Sequence, residues 1–202
     1  MKGSVYTIVY AAVLGTTCAL VLTFAASFTA PYKQANAEAE EVKNILLALN
    51  VSTPEKASSE DMVKIYKENV REEMRGGIKT YIYTPSDNSN GSIAMRFAGP
   101  GLWGPIKGFL AMDPEITKIQ GITFYEQEET PGLGGEIVKP SFRDKFVGLL
   151  IRDKAGKPGI IIKNGGEAAA NKIDGISGAT MTCDKVQEML NEAIKSIVEE
   201  KQ

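Results

Sequence analysis

The chain has 202 residues with a formal net charge of −2, no histidine and only two cysteines, Cys18 and Cys183. The absence of histidine excludes Ser–His and Cys–His nucleophile pairs and His-ligated zinc or haem, and the charge argues against a general nucleic-acid binder. Two cysteines cannot hold an iron–sulfur cluster within one chain, so any redox chemistry would require an organic cofactor.

The first predicted element is a helix that crosses a membrane. The uncharged run from Gly3 to Tyr32 has about 30 residues, more than the ~20 that a helix needs to span a bilayer. We place the span at Val5 to Phe28. A signal peptide is the alternative, because Ala35-Asn36-Ala37 resembles a cleavage site, but the apolar run is long for a signal. Lys2 and the acidic flank beyond the span favour a single-pass protein with a cytoplasmic N-terminus and an extracytoplasmic soluble part.

Two helices are predicted after the span. Residues 34–50 carry one apolar stripe at helical spacing. Thr53 fits the N-cap and Pro54 the first position of a second helix, which is predicted to run to about Met74 and to end at Gly76-Gly77. The chain is therefore divided into a transmembrane anchor (1–32), a helical linker region (33–76) and an α+β domain (77–202).

The third part predicts mainly strands. Alternating or β-branched runs indicate strands at residues 78–83, 92–97, 106–112, 116–126, 148–152 and 159–163, and a short helix is predicted at 140–146. A final helix is predicted from about Thr182 or Asp184, with Asp184 and Gln187 as a capping box. This order is typical of an α+β fold with a mainly antiparallel sheet flanked by helices.

Two glycine-rich loops, at residues 99–105 and 128–136, and the glycine-containing turn at 174–182 are candidates for a ligand site. The two loops can also be ordinary connections, as can the turn-rich loop at 85–91, and the turn at 174–182 can be only a capped turn. However, a glycine-containing turn before a helix can receive a phosphate on its free N–H groups. Trp103, the single tryptophan, either covers the edge of the sheet or forms an aromatic wall beside a planar cofactor.

These stretches carry a family resemblance. Asp174-Gly175 followed by Ser177-Gly178-Ala179-Thr180 resembles the flavinylation motif of proteins that hold FMN in phosphoester linkage to threonine. Residues 129–134, Glu-Thr-Pro-Gly-Leu-Gly, resemble the second signature of that family. Residues 101–104 with 108–111 resemble the NqrC subunit of the sodium-translocating NADH:quinone oxidoreductases more than the related RnfG subunit.

The resemblance implies FMN held covalently on Thr180, attached by a separate flavin transferase that uses FAD and a metal ion. Trp103, Thr130 and Leu133 are the candidates for packing beside the ring, although Leu133 fits core packing equally well, and Ser177 and Thr182 are the candidates for phosphate contacts. The resemblance implies no catalytic residue and no metal site of this chain. The implied cofactor-binding residues are Thr180, Ser177, Gly178, Ala179, Thr182, Trp103, Glu129, Thr130, Gly132, Leu133 and Gly134.

The function implied by the resemblance is electron relay within a membrane-bound, ion-translocating oxidoreductase. The partners would be the other subunits, the flavin transferase and the membrane, with no nucleic acid. Electrons would come from NADH or reduced ferredoxin through other subunits and pass through a further flavin subunit to quinone or NAD. Two alternatives stay open: an RnfG-type subunit of a ferredoxin:NAD oxidoreductase, and a membrane-anchored interaction domain without a cofactor.

Overall fold

The structure is a computed structural model that describes residues 2–54, 56–75, 77–85 and 91–200. The chain divides into two compact units, one up to Ala39 and one from Glu40 onward. Most of the predicted loop at 85–91, and Gly76 of the predicted helix end, lie outside the described residues. The three-part division at residues 32 and 76 stays a prediction.

The first unit is the N-terminal part of helix α1, which runs over Lys2–Ala48 with Pro31 inside it. Its apolar side chains, such as Val9, Leu20 and Phe24, are exposed. Its threonines at positions 7, 16, 17 and 29 each donate their hydroxyl to a carbonyl one turn back, so these four hydroxyls are satisfied within the helix. Within the described part of the chain, α1 is the one helix long and apolar enough to cross a membrane.

The second unit is built on a five-stranded sheet. Every strand pairs antiparallel with the next one along the chain. The unit begins with the last turns of α1, followed by helix α2 (Ser59–Asn69). The strands are β1 (Val70–Arg75), β2 (Ile78–Tyr83), β3 (Ser92–Pro100), β4 (Pro105–Met112) and β5 (Ile119–Glu126).

Short elements and one long helix complete this unit. A 3₁₀ turn (Gly134–Val138), helix α3 (Pro140–Arg143) and a second 3₁₀ turn (Asp144–Phe146) follow the sheet. Strands β6 (Ile161–Ile162) and β7 (Lys172–Ile173) form a parallel pair, and helix α4 (Thr180–Glu200) follows them.

The core lies on both faces of the five-stranded sheet. On one face, Ile45 and Leu49 near the end of α1 belong to a buried cluster with Tyr81 and Phe109 of the sheet. On the other face, the apolar stripe of α4 packs with Met95 and other sheet residues in a second cluster. The predicted α+β fold with a mainly antiparallel sheet flanked by helices is therefore confirmed.

The second helix differs from the prediction at both ends. Ser58, not Thr53, is the N-cap of α2, because Asp61 three residues on completes a capping box with it. The helix ends at Asn69 rather than near Met74, since residues 70–75 form the edge strand β1 against β2.

Three other elements also differ. Helix α4 begins at Thr180, so Asp184 and Gln187 do not form a capping box, and Gln187 Oε1 accepts a hydrogen bond from Ile162 N instead. The predicted strand at 148–152 is reduced to isolated bridges at Leu150 and Arg152. The regular pairing of β5 starts at Ile119, after a turn in which Asp113 accepts three hydrogen bonds.

Candidate functional site

The two glycine-rich loops and the turn at 174–182 meet at one cleft beside the start of α4. This cleft, called the α4 cleft below, has a volume of about 340 Å³. Nine of the eleven predicted site residues line it; Ser177 and Gly132 do not, and Leu102 and Met181 are added. The lining residues are Leu102, Trp103, Glu129, Thr130, Leu133, Gly134, Gly178, Ala179, Thr180, Met181 and Thr182.

The first wall is the loop between β3 and β4. Pro100 pairs with Pro105 at the end of the two strands, where proline, which lacks an N–H, marks the end of the ladder. Gly101 N donates to Gly104 O at 2.8 Å and closes the turn. Trp103 at its tip is 70% exposed, so the side chain stands free beside the cleft rather than covering the edge of the sheet.

The second wall is the loop after β5. Thr130 O accepts hydrogen bonds from Leu133 N at 3.1 Å and from Gly135 N at 3.0 Å. Gly132 has a φ of +78°, a left-handed conformation that glycine adopts without strain. The turn leaves Leu133 42% exposed at the cleft, so Leu133 is not a plain core residue.

The floor is the first turn of α4. Cys183 N donates to Ala179 O, which makes Thr180, Met181 and Thr182 the residues of the first helical turn. The N–H groups of a first turn have no acceptor within the helix and lie at the positive end of its dipole. The N-terminus of α4, at Thr180, is therefore suited to binding an anion.

One buried carboxylate joins the three stretches. Glu129 Oε1 accepts hydrogen bonds from Leu102 N at 2.7 Å and from Trp103 N at 3.1 Å. Glu129 Oε2 accepts one from the Thr182 hydroxyl at 2.6 Å. Glu129 is 4% exposed and Thr182 is 2% exposed, so these bonds are shielded from water.

The three hydroxyls of the 174–182 stretch are placed differently. Thr182 is buried and donates to Glu129, whereas Ser177 and Thr180 are exposed. Thr180 lines the α4 cleft and also a second cleft of about 300 Å³ with Lys163, Gly175 and other residues. Thr180 thus lies between two open spaces, a position that the other two hydroxyls do not share.

The neighbouring thiol is an unreactive group. Cys183 is 2% exposed, and its Sγ accepts a hydrogen bond from Ile176 N at 3.3 Å. Burial raises the pKa of the Cys183 thiol, and the Ile176 N–H lowers it by less. The thiol is therefore protonated at neutral pH and is a poor nucleophile.

Sequence comparisons find known proteins that are similar to the segment holding this site. Residues 101–195 match the family described as FMN-binding domain. The chain is 41% identical over 110 residues to the NqrC subunit of the Na⁺-translocating NADH-quinone reductase of Neisseria meningitidis serogroup A, a match covering 54% of this chain and 43% of that protein. It is 42% identical over 102 residues to the same subunit of Vibrio vulnificus, covering 50% and 40%. The matched segment therefore spans less than half the length of these relatives.

Solved structures share the fold over most of the chain. A crystal structure of the same subunit from Parabacteroides distasonis superposes with a TM-score of 0.71 and 27% identity, over 83% of this chain and 94% of that chain. The crystal structure of NqrC from Shewanella oneidensis gives a TM-score of 0.69 over 84% and 99%, and at 20% identity it supports the fold alone.

Proposed function

We propose that this chain carries FMN covalently on Thr180 and relays electrons in a membrane complex. In support, residues 101–195 match the FMN-binding domain family, and the chain is similar to NqrC subunits in sequence and in fold. The observation that carries this proposal is the position of the Thr180 hydroxyl. It is exposed, begins a helix and lies between two clefts, whereas the neighbouring Thr182 hydroxyl is buried and bonded to Glu129.

The apolar rim of the α4 cleft fits a planar aromatic ring. Leu102, Trp103, Leu133 and Met181 all line this cleft and are 44%, 70%, 42% and 62% exposed. Large apolar side chains left open around a concave site favour a ligand that covers them. These four residues would hold the isoalloxazine, which supplies the reversible electron acceptance and donation that protein side chains lack.

The phosphate end fits the start of α4. A phosphodiester carries one negative charge, which the free N–H groups of the first turn would stabilise. Lys163 lines the second cleft on the other side of Thr180 and would add a positive charge there. Ser177 is exposed in the same turn and is available to donate its hydroxyl.

Attachment by a partner enzyme agrees with the sequence, because the residues on either side of Thr180, Ala179 and Met181, are not bases. The Thr180 hydroxyl oxygen would form a bond to the flavin-side phosphorus of FAD. The bond from that phosphorus to the AMP half would break, AMP would leave, and the hydroxyl proton would pass to a base of the flavin transferase. This transfer needs no oxidant, and the exposed position of Thr180 gives the transferase access.

The wider role follows from the relatives. Their names describe one subunit of an Na⁺-translocating NADH-quinone reductase. We extend this role to the present chain: the apolar helix anchors it in the inner membrane, the N-terminus faces the cytoplasm and the FMN domain exchanges electrons with neighbouring subunits. The named relatives favour this complex over an RnfG-type assembly.

A denaturing gel viewed under ultraviolet light tests the proposal. The full chain is produced with its flavin transferase, beside Thr180→Ala and Thr182→Ala variants. A fluorescent band is expected for wild type and, more weakly, for Thr182→Ala, but not for Thr180→Ala. A dark wild-type band would favour the alternative of a cofactor-free interaction domain.

A further inference from the structure

We infer that Glu129 is a positioning residue that fixes the two walls and the floor of the α4 cleft relative to each other. Its carboxylate holds the loop that carries Trp103 on one side and the first turn of α4 on the other. The three hydrogen bonds that Glu129 accepts, from Leu102 N, Trp103 N and the Thr182 hydroxyl, are called the clamp below. The clamp lies entirely within this chain, whereas its consequence for the flavin rests on the proposed function.

The geometry of the bonds supports a clamp. Two consecutive N–H groups, from Leu102 and Trp103, donate to a single carboxylate oxygen. This pair of bonds restricts the orientation of the loop as well as its distance from Glu129. The other oxygen accepts the Thr182 hydroxyl, two residues beyond Thr180. A shift of the Trp103 loop away from α4 would therefore break bonds to a buried charge, which is costly.

Two glycines make room for this carboxylate. A Cβ added at Gly101 would lie 2.5 Å from Glu129 Oε1, and a Cβ added at Gly134 would lie 2.7 Å from Glu129 Oε2. Real Cβ atoms are not found at such distances. Glycine at both positions therefore leaves the space that the Glu129 carboxylate occupies between the two walls.

Glu129 acts through its neighbours rather than by direct contact with a ligand. Both of its oxygens are engaged, and the residue is 4% exposed. Trp103, in contrast, is 70% exposed, so packing of its own side chain does little to hold the loop. Loops with few buried contacts open easily. In this loop, the hydrogen bonds to the Glu129 carboxylate provide the restraint that the exposed Trp103 side chain does not.

The chain offers a matched control at Asp113. That carboxylate is 6% exposed and has the same pattern of partners. One of its oxygens accepts two backbone N–H groups, from Thr117 and Lys118, and the other accepts the Thr117 hydroxyl. It lies in the turn before β5 and shares no residue with the α4 cleft.

Hydrogen exchange at the Leu102 and Trp103 amides tests the clamp in the full chain made without the transferase. Glu129→Ala is expected to raise exchange of these two amides about tenfold or more, because both lose their acceptor. Glu129→Gln keeps one oxygen for the amides and can donate its NH₂ group to Thr182, so it should stay near wild type. Asp113→Asn should leave both amides unchanged.

The hydroxyl side of the clamp has its own pair of variants. Thr182→Val removes the donor to Glu129 Oε2 and should raise exchange at Leu102 and Trp103, whereas Thr182→Ser keeps the hydroxyl and should restore protection. Unchanged exchange in both Glu129→Ala and Thr182→Val, with the proteins folded, would overturn the clamp.

The flavin-loaded chain tests the consequence. Visible circular dichroism of the bound flavin reports the fixed asymmetry of its surroundings. We expect Glu129→Ala to lose most of this signal while retaining the fluorescent band on a denaturing gel, and Glu129→Gln to retain both. An unaltered dichroism with increased loop exchange would overturn the positioning role. A wild-type chain without any flavin would refute the proposed function but leave the exchange result to decide the clamp.

Discussion

Alanine at Gly134 provides a demanding test of the packing around Glu129. The added Cβ would lie 2.5 Å from Thr182 Oγ1 and 2.7 Å from Glu129 Oε2, between two atoms that are themselves 2.6 Å apart. Overpacking of this kind costs about 1–3 kcal/mol. The φ of Gly134 lies outside the left-handed region, so the smaller entropy of the unfolded alanine chain offsets about 0.4–1 kcal/mol.

The net expectation is a destabilisation of about 1–2 kcal/mol in the wild-type background. For a unit of this size, that corresponds to a fall in Tm of about 2–8 °C. In a Glu129→Ala background the contact with Glu129 Oε2 is removed, while the contacts with Thr182 Oγ1 at 2.5 Å and with the Cβ at position 129 at 3.0 Å remain. There, Gly134→Ala should cost less than in the wild-type background, because one of its two shortest contacts is gone. The size of its effect should therefore differ between the two backgrounds.

Thermal unfolding followed by far-ultraviolet circular dichroism, on all four members of the cycle, measures this coupling. Gly132→Ala is the control. A Cβ there meets no atom within 4 Å, but the φ of +78° costs alanine about 1–2 kcal/mol in either background. Equal losses for Gly134→Ala in both backgrounds would show that the space between Glu129 and Thr182 does not depend on the carboxylate.

Two further predictions concern parts of the fold away from the cleft. Burial raises the pKa of the Asp113 carboxyl, but hydrogen bonds from Lys118 N, the Thr117 hydroxyl and Thr117 N outweigh this effect and leave the pKa below its usual value. The stabilisation that the ionised Asp113 carboxylate gives to the fold is therefore fully present above the unfolded pKa of about 3.9, and it is lost as the pH falls through the lower pKa of the folded protein. The difference in Tm between wild type and Asp113→Asn should therefore become smaller from pH 7 to pH 3. A constant gap would contradict this assignment. Ser58→Ala removes the N-cap of α2 and should cost about 1 kcal/mol in chemical denaturation, whereas Ser59→Ala, its exposed neighbour, should be nearly neutral; equal effects would mean that the capping box contributes nothing.

Local patterns predicted the regular parts of the sheet. The strand predicted at 78–83 coincides with β2, because the segment combines alternation with β-branched and aromatic residues. β1 was missed, since Val-Arg-Glu-Glu-Met-Arg is charged and mostly exposed, and only its pairing with β2 makes it a strand. Propensity cannot detect an edge strand whose stability comes from its neighbour.

The start of α4 was missed for a different reason. The prediction relied on apolar periodicity, which begins only at Val186. The helix in fact begins at Thr180, two residues after Gly178, whose φ of +78° turns the chain just before the helix. This difference matters for function, because it moves Thr180 from the preceding loop to the first turn of the helix.

Most residues of the site were predicted from the sequence, but the hydrogen bonds between them were not. Motif resemblance singled out Glu129 and Thr182 as cofactor-binding residues. The structure shows that they bond to each other across 53 positions of sequence, and that Glu129 reaches loop amides 26 and 27 positions away. Leu102 and Met181 were not predicted, because no local pattern marks an exposed apolar side chain that a distant loop brings into a cleft.

Mass spectrometry of the tryptic peptide spanning residues 173–185 tests the central claim most directly. This peptide contains Ser177, Thr180 and Thr182 together. From full-length protein made with its transferase, we expect the peptide to carry the mass of FMN less one water, with fragmentation placing it on Thr180. An unmodified peptide, or FMN located on Ser177 or on the buried Thr182, would contradict the account.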